Sequence, residues 1–387
     1  MHADPLLPVV AATTLVLLGV GLALRRLRQP HVLAYLLAGV ALGPHGLGIF
    51  SDTDSISRLG DFGIILLLFF VGMEMSLPRL VANWRIAVLG TLLQILLSLG
   101  LVAALALALD WPLARAVLIG FVISLSSTAV AVSMLSVWGH LDTKLGLDVL
   151  GILIVQDLAV APMLLTLGFL SRAGGGVEGH IARPILGVLL ILVFSVWLLR
   201  RERISLPFGD RLRGDHELQV FAAAFICTSS ALVTVFFELS TALGALIAGV
   251  IVASADEIEW VSRSLEPFRV MLVALFFVSM GLLLDLHFVA ANVGLLSVLI
   301  GGLFLTNTFV NAGIVRLFGR RWPHALFAGA ILAQAGDFSF VLAAIGFEGG
   351  LISDYGYQLT VAVIAGSLLL SPLWVAPFRA FARRDEA

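Results

Sequence analysis

The sequence predicts an all-α integral membrane protein of about thirteen transmembrane helices, arranged as an inverted repeat with two interrupted crossing helices. Three observations carry that expectation. Of its 387 residues, 60% are apolar and only 12% charged, with a mean hydropathy of +1.08, whereas a soluble chain carries about 25% charged residues. Apolar stretches of about 20 residues, the length of helix that crosses a ~30 Å hydrocarbon core, recur along the whole chain. These stretches are continuous and do not alternate over about ten residues, so they read as helices and not as barrel strands. The lipid bilayer is therefore the first partner implied, and no nucleic acid is expected.

The apolar runs fall near 6–24, 31–47, 60–76, 84–109, 113–136, 145–170, 182–199, 217–237, 240–254, 267–286, 288–317, 324–347 and 357–378. No basic leader precedes the first run, and Arg25 and Arg26 follow it, so a retained helix is expected rather than a cleaved signal peptide. Positive charge gathers in short cytoplasmic loops. Placing 25–28 inside leaves only Arg58, Arg115, Arg172 and Arg183 outside, of 23 basic residues. The expected topology has the N-terminus outside and the C-terminus cytoplasmic, in a cell inner membrane. The basic loop 200–213 is then cytoplasmic and the Gly-rich segment 173–176 external. The chain ends soon after the last apolar run, which predicts a single transmembrane domain over 1–387 and no C-terminal nucleotide-binding domain. Cys227, the single cysteine, lies inside an apolar run and offers no disulfide or metal framework. The histidines are scattered, without metal-ligand spacing.

About six helices, a linker helix over 181–203 and about six more would form two halves of opposite orientation. The fifth run (Ser124-Leu-Ser-Ser-Thr128) and the twelfth (Gln334-Ala-Gly-Asp337) both carry polar, poorly helix-forming residues at mid-depth. Paired interruptions of this kind point to a binding site. Asp157, in Ile152-Leu-Ile-Val-Gln-Asp-Leu-Ala-Val-Ala-Pro162, falls near the middle of the sixth run. A charged side chain there costs at least ~2.5 kcal/mol. A midplane carboxylate holds either a proton or a desolvated cation but not both, which couples their movements. The competing reading is a protonated or ion-paired acid that glues helices together.

Gln156 offers a neutral carbonyl. Ser126, Ser127 and Thr128 offer hydroxyls and, where the helix unwinds, backbone carbonyls, although small polar residues also pack membrane helices together. Gln334, Gly336 and Asp337 form the partner break, with Asp337 either functional or a helix-end residue. Asn307 and Asn311 share one face of the eleventh run and either line a cation path or bond neighbouring helices. Glu74 reads as interfacial, and Gly39 with Gly43 as a packing pair.

Ordered blocks of the sequence resemble a known family. Tyr35-Leu-Leu-Ala-Gly-Val-Ala-Leu-Gly-Pro-His-Gly-Leu-Gly48, Leu66-Leu-Leu-Phe-Phe-Val-Gly-Met-Glu-Met75, Leu125-Ser-Ser-Thr-Ala-Val-Ala131, Gln156-Asp157, Leu275-Phe-Phe-Val-Ser-Met-Gly281 and Ala333-Gln-Ala-Gly-Asp-Phe-Ser-Phe-Val341 are similar to the membrane domain of the monovalent cation:proton antiporter-2 family, Kef-type potassium efflux proteins in particular. The resemblance implies a Na+/H+ antiporter-like fold and a homodimer. Residues 1–83 and 217–287 would form the scaffold, and 84–172 and 288–380 an ion-binding core that moves as an elevator. It implies K+ or Na+ bound at Asp157, with Gln-Asp in the sixth helix favouring K+/H+ exchange. Na+/H+ exchange and uncoupled, channel-like potassium efflux are the alternatives. No cofactor is implied beyond the transported ions.

Two departures stand out. Asn307 aligns where many relatives carry Lys, which leaves Asp157 without its usual partner. No cytosolic gating domain like that of Kef proteins is expected, and the loop 255–266 is only loosely like their regulatory loop, which leaves room for a separate cytosolic regulatory subunit. An intramembrane aspartyl protease needs Tyr-Asp and Gly-x-Gly-Asp. The pairs here are Gln156-Asp157 and Gln334-Ala-Gly-Asp337, so no enzyme is expected.

Overall fold

The computed structural model describes residues 6–26, 31–44, 46–50, 62–63, 65–70, 72–73, 85–141, 143–173, 183, 186–187, 189–191, 193, 212, 214–237, 239, 241–255, 260–261, 266–282 and 284–386, and the secondary structure it describes is helical. In chain order the elements are α1 (Leu6–Arg26), α2 (His31–Leu42), a π-helical turn (Arg85–Leu89) leading into α3 (Gly90–Ala108), α4 (Leu113–Ser124), α5 (Thr128–Val137) and α6 (Lys144–Ala173). They continue with α7 (His216–Phe236), α8 (Thr241–Ser254), α9 (Glu266–Leu282), α10 (Leu286–Ala291), α11 (Val293–Leu317), α12 (Trp322–Ile331), α13 (Asp337–Glu348) and α14 (Asp354–Glu386). Glu74, the loop 200–211 and most of the expected linker helix lie outside the described residues. Those described within 183–193 are helical.

Among the described residues five segments are long and apolar enough to cross a membrane: Arg85–Ala108, Lys144–Ser171, His216–Phe236, Val293–Leu317 and Asp354–Ala382. Their packing is inside-out by soluble standards. On α3 the buried positions are Gly90 and Thr91, then Gln94, Ser98, Val102 and Ala106 at steps of three to four, while Leu92, Leu96 and Leu101 face outward. Small and polar residues turned inward with leucines turned outward suit a lipid surround, where close backbone approach and interhelical hydrogen bonds hold helices together.

The chain divides into two compact units, Met1–Thr53 with Leu77–Val160 and Met280–Ala387, and Asp54–Ser76 with Ala161–Ser279. In the second unit α7 packs along α8 around Phe69, Phe70, Ala223, Cys227, Ala248 and Val252. In the first unit α2 meets the end of α9 through small residues, and a Cβ on Gly281 would lie 3.0 Å from the Gly39 Cα.

The same unit contains both interruptions. Helix α4 stops at Ser124, Leu125 turns extended (φ −91°, ψ 136°), and α5 restarts at Thr128. Helix α12 stops at Ile331, Gly336 is extended (φ −88°, ψ 168°), and α13 restarts at Asp337. The two breaks cross. A Cβ on Gly336 would sit 2.9 Å from both the carbonyl carbon and oxygen of Ser126, so the backbones touch where only a hydrogen fits. Around the crossing α11 packs on α3, α4, α12 and α14, and α13 packs on α4 and α14.

This contact makes a prediction. Gly336→Ala is expected to lower stability by about 1–3 kcal/mol, the usual cost of overpacking, read as a fall in melting temperature in detergent. Gly301→Ala, where a Cβ meets nothing within 4 Å, should melt no earlier than the parent. Equal melting of both variants would show that the breaks do not press on each other.

Candidate functional site

A helix that ends inside a bilayer leaves its last four carbonyls without partners, and lipid supplies none. At the end of α4 side chains supply all four donors. The Ser124 hydroxyl donates to the Phe121 carbonyl (2.9 Å), and the Ser339 hydroxyl of α13 donates to that of Val122 (2.7 Å). The Asn307 amide of α11 donates to the Ile123 carbonyl (2.8 Å), and the Gln94 amide of α3 to that of Ser124 (3.1 Å). Beyond the break, the Ser126 N–H donates to Gln156 Oε1 (3.0 Å), and the Gln156 amide donates in turn to Gln94 Oε1 (2.7 Å). A side-chain relay from α3 through α6 thus fixes the first break.

The second break is tied to the first and to its neighbours. The Ser126 hydroxyl donates to the Leu332 carbonyl (2.7 Å), and the Asn307 amide also reaches the Ala333 carbonyl (3.2 Å). The Ala335 N–H donates to the Ser367 hydroxyl of α14 (3.2 Å), and the Gly336 N–H to the Ser339 hydroxyl (3.2 Å). Asn307 therefore bridges the two broken helices with one amide group. Asn311 turns back on its own helix, where its amide donates to the Asn307 backbone carbonyl (2.9 Å).

Two carboxylates stand at this crossing, held by adjacent hydroxyls. Thr128 donates to Asp157 Oδ2 (3.1 Å) and Ser127 donates to Asp337 Oδ1 (3.0 Å). Thr128 is the first residue of α5 and Asp337 the first of α13. The positive ends of two half-helices accordingly lie beside the two acids, an arrangement that favours negative charge there. Both acids are half-buried, while Gln94, Ser126, Ser127, Gln156, Asn307, Gln334 and Ser339 are buried. Among the described residues, two buried oxygens at the crossing, Asn307 Oδ1 and Gln334 Oε1, have no hydrogen-bond partner.

The structure thus brings Ser126, Ser127, Thr128, Gln156, Asp157, Asn307, Gln334, Gly336 and Asp337 to one place. Gln156 has both polar ends engaged, with Ser126 and with Gln94. Sequence reasoning passed over Gln94, Ser339 and Ser367, whose only signal is a single polar residue inside an apolar run. It also passed over the pair of Asp148 on α6 with Arg320 of the α11–α12 loop, in which the buried carboxylate meets a partly exposed guanidinium. That hydrogen bond holds Arg320 above its already high ordinary value.

A bundle of membrane-length helices in which two broken helices cross beside a carboxylate is the architecture of a secondary transporter. The family model for the sodium/hydrogen exchanger transmembrane domain matches residues 11–380, and the chain belongs to that family of cation/proton antiporters. It is 39% identical to the iron transporter MagA of Paramagnetospirillum magneticum, over 92% of this chain and 81% of that one. It is 32% identical to K(+) efflux antiporter 5 of Arabidopsis thaliana, over 91% of this chain, and spans only 63% of that relative's length. The fold is that of the sodium proton antiporter MjNhaP1 of Methanocaldococcus jannaschii, with a TM-score of 0.62 at 16% identity over 98% of this chain and 99% of that one.

The relay through Gln94 is testable. Gln94→Leu strips the Ser124 carbonyl of its donor and the Gln156 amide of its shorter acceptor, leaving that amide only the 3.5 Å contact to the Ser126 hydroxyl, and a buried polar group left bare costs about 1–3 kcal/mol. A lower melting temperature and slower transport in proteoliposomes are the expected outcomes. A variant that melts and transports like the parent would remove the relay from any role in setting the break.

Proposed function

We propose that the chain is a secondary antiporter that exchanges a monovalent cation for protons by alternating access, with K+ the preferred cargo and Na+ the alternative. The observation that carries this reading is the Asp157 carboxylate, half-buried near the middle of α6 and held by the hydroxyl that opens α5. It takes a proton on one visit and a cation on the next. The crossing as a whole carries hydroxyl, amide and carboxylate oxygens, the donor set that suits hard cations. The unpartnered oxygens Asn307 Oδ1 and Gln334 Oε1 support the presence of a cation or its waters nearby. The K+ preference rests on the Gln156-Asp157 pair and on the similarity to the plant K(+) efflux antiporter.

The wider reading follows the same line. Thirteen spans would form two inverted halves joined by the linker helix over 181–203, with the N-terminus outside and the C-terminus cytoplasmic in an inner membrane. Residues 1–83 and 217–287 would be the scaffold of a homodimer, against which the core of 84–172 and 288–380 makes an elevator stroke. A separate cytosolic subunit would supply regulation.

Two other readings have observations behind them. Asn307 in place of Lys favours a looser, channel-like efflux, and the similarity to an iron transporter favours a metal cargo. Among the described residues, no group of three or more His, Cys, Asp or Glu is placed to hold a metal ion.

In proteoliposomes at clamped voltage, a K+ gradient is expected to drive proton movement in the parent and not in Asp157→Asn, with the variant still monodisperse. Retained exchange in Asp157→Asn with loss in Asp337→Asn would move the carrier to the second break. K+ flux without proton movement would establish the channel reading. Proton-coupled iron uptake unaffected by K+ would transfer the cargo to iron.

A further inference from the structure

The two sides of the crossing differ in sign. Helix starts, at Thr128 and Asp337, stand beside the two acids, whereas two helix ends meet at Asn307. Its amide donates to the Ile123 carbonyl in the last turn of α4 and to the Ala333 carbonyl just past the end of α12, at 2.8 and 3.2 Å. A helix end carries a partial charge of about −0.5, so the pair brings up to about one negative charge to this side chain. The donors that reach the end carbonyls of α4 are hydroxyls and amides. They complete the hydrogen bonds and bring no net charge.

The same place holds two acceptors in want of a partner. Among the described residues, Asn307 Oδ1 and Gln334 Oε1 have no hydrogen bond, and their side chains are only 1% and 0% exposed. The Asn307 oxygen cannot be turned away, because reversing the amide would strip both carbonyls of their donor. Gln334 follows Ala333 directly in the chain, and its amide nitrogen reaches the Ser127 carbonyl of the first break at 3.5 Å. Each oxygen thus belongs to an amide whose nitrogen is turned to the main chain of a break. A water would satisfy such an oxygen without offsetting the charge of the helix ends, and a cation does both.

We propose that Asn307 Oδ1 and Gln334 Oε1 belong to a second cation site, which takes a monovalent ion of the size of Na+ or K+ and uses neither acid. Neutral oxygens beside about one unit of helix charge suit a single positive charge, whereas divalent cations take carboxylate ligands. An amide oxygen holds no exchangeable proton, so the ion bound here is not displaced by protonation of its ligands, as one at Asp157 is. It joins the end of α4 to the second break, and the packing of the crossing then follows cation concentration. The inference rests on the reading that cations reach the crossing and adds a station to it.

The test reads the melting temperature of the purified full chain in a neutral detergent, in chloride salts of K+, Na+ or the bulky cation N-methylglucamine at equal ionic strength. A ligand that binds only the folded state raises that temperature. In Asp157→Asn combined with Asp337→Asn both acids are neutral, and an amide oxygen still accepts from Thr128 and from Ser127, as each carboxylate does. This double variant is expected to melt several degrees higher in K+ or Na+ than in N-methylglucamine. Adding Asn307→Lys, which keeps donors for the two carbonyls and carries its own charge, should abolish the difference. Adding Gln334→Met, which removes the other oxygen, should reduce it. Where the double variant does not fold, the same additions are read in Asp157→Asn alone. No difference between the salts in these acid-neutral variants would show that the oxygens hold water only. A difference of equal size with and without the additions would place the cation elsewhere, and either result overturns the proposal. Exchange abolished by Asp157→Asn together with no salt effect defeats this inference alone, and a salt effect in a chain that exchanges nothing defeats the exchange reading alone.

Discussion

Backbone polar groups freed inside hydrocarbon cost several kcal/mol each when left bare, and in this chain two helices are each broken where they cross. The four carbonyls that α4 abandons at its end each receive a donor, and the donors come from α3, α11, α13 and α4 itself. That requirement fixes the register of each helix that contributes one. If α11 shifted by a turn, Asn307 would leave both the Ile123 and Ala333 carbonyls, and if α13 slipped, Ser339 would abandon Val122. The hydroxyls that hold the two acids, Ser127 and Thr128, stand where they do because the backbone around them has been satisfied from outside. Placement of the chemistry is a consequence of that accounting.

At the crossing the cost of a buried charge is set against the groups that stand beside it. An ionised acid at mid-depth costs at least ~2.5 kcal/mol, and a helix start beside it returns typically 0.3–1 kcal/mol, up to about 2 in favourable buried geometry. A hydroxyl donor to each carboxylate adds about 1.5–3 kcal/mol, so the ionised form is partly compensated at the crossing, and a proton or a bound cation would compensate it further. The pair of Asp148 and Arg320 makes the contrast within one helix. About 13 Å before Asp157 along α6, at 1.5 Å per residue, an acid with a permanent partner is structural.

Much of this was legible in the sequence because the signals are local. Ser124-Leu-Ser-Ser-Thr128 and Gln334-Ala-Gly-Asp337 are poor helix formers wherever they occur, and both runs are interrupted there, as expected. Hydropathy alone reads 113–136 as one span, since an apolar run does not record that the backbone turns extended at Leu125. The partners of the breaks were not legible. Ser339 lies 217 positions from the carbonyl it caps, and Gln94 lies 62 from Gln156. A lone Gln or Ser in an apolar helix looks the same whether it caps a distant helix or bonds its own preceding turn, as Thr228 does. Asn307 and Asn311 show the limit most plainly. Equal in type and one turn apart, one joins two broken helices and the other bonds only its own.

Asn307 also shows how a neutral side chain is oriented at the crossing. An ammonium has three donors, no acceptor and a charge. The Asn307 amide spends its donors on the Ile123 and Ala333 carbonyls, and this fixes the direction of its oxygen, because turning the group over would leave both carbonyls bare. The buried Oδ1 therefore stays in place without a partner, at a cost of about 1–3 kcal/mol that a water or a cation can relieve. Where an ammonium would bring donors and a charge, the Asn307 amide brings donors alone. The crossing thus presents an oriented amide oxygen and, in Asn307, a side chain without charge.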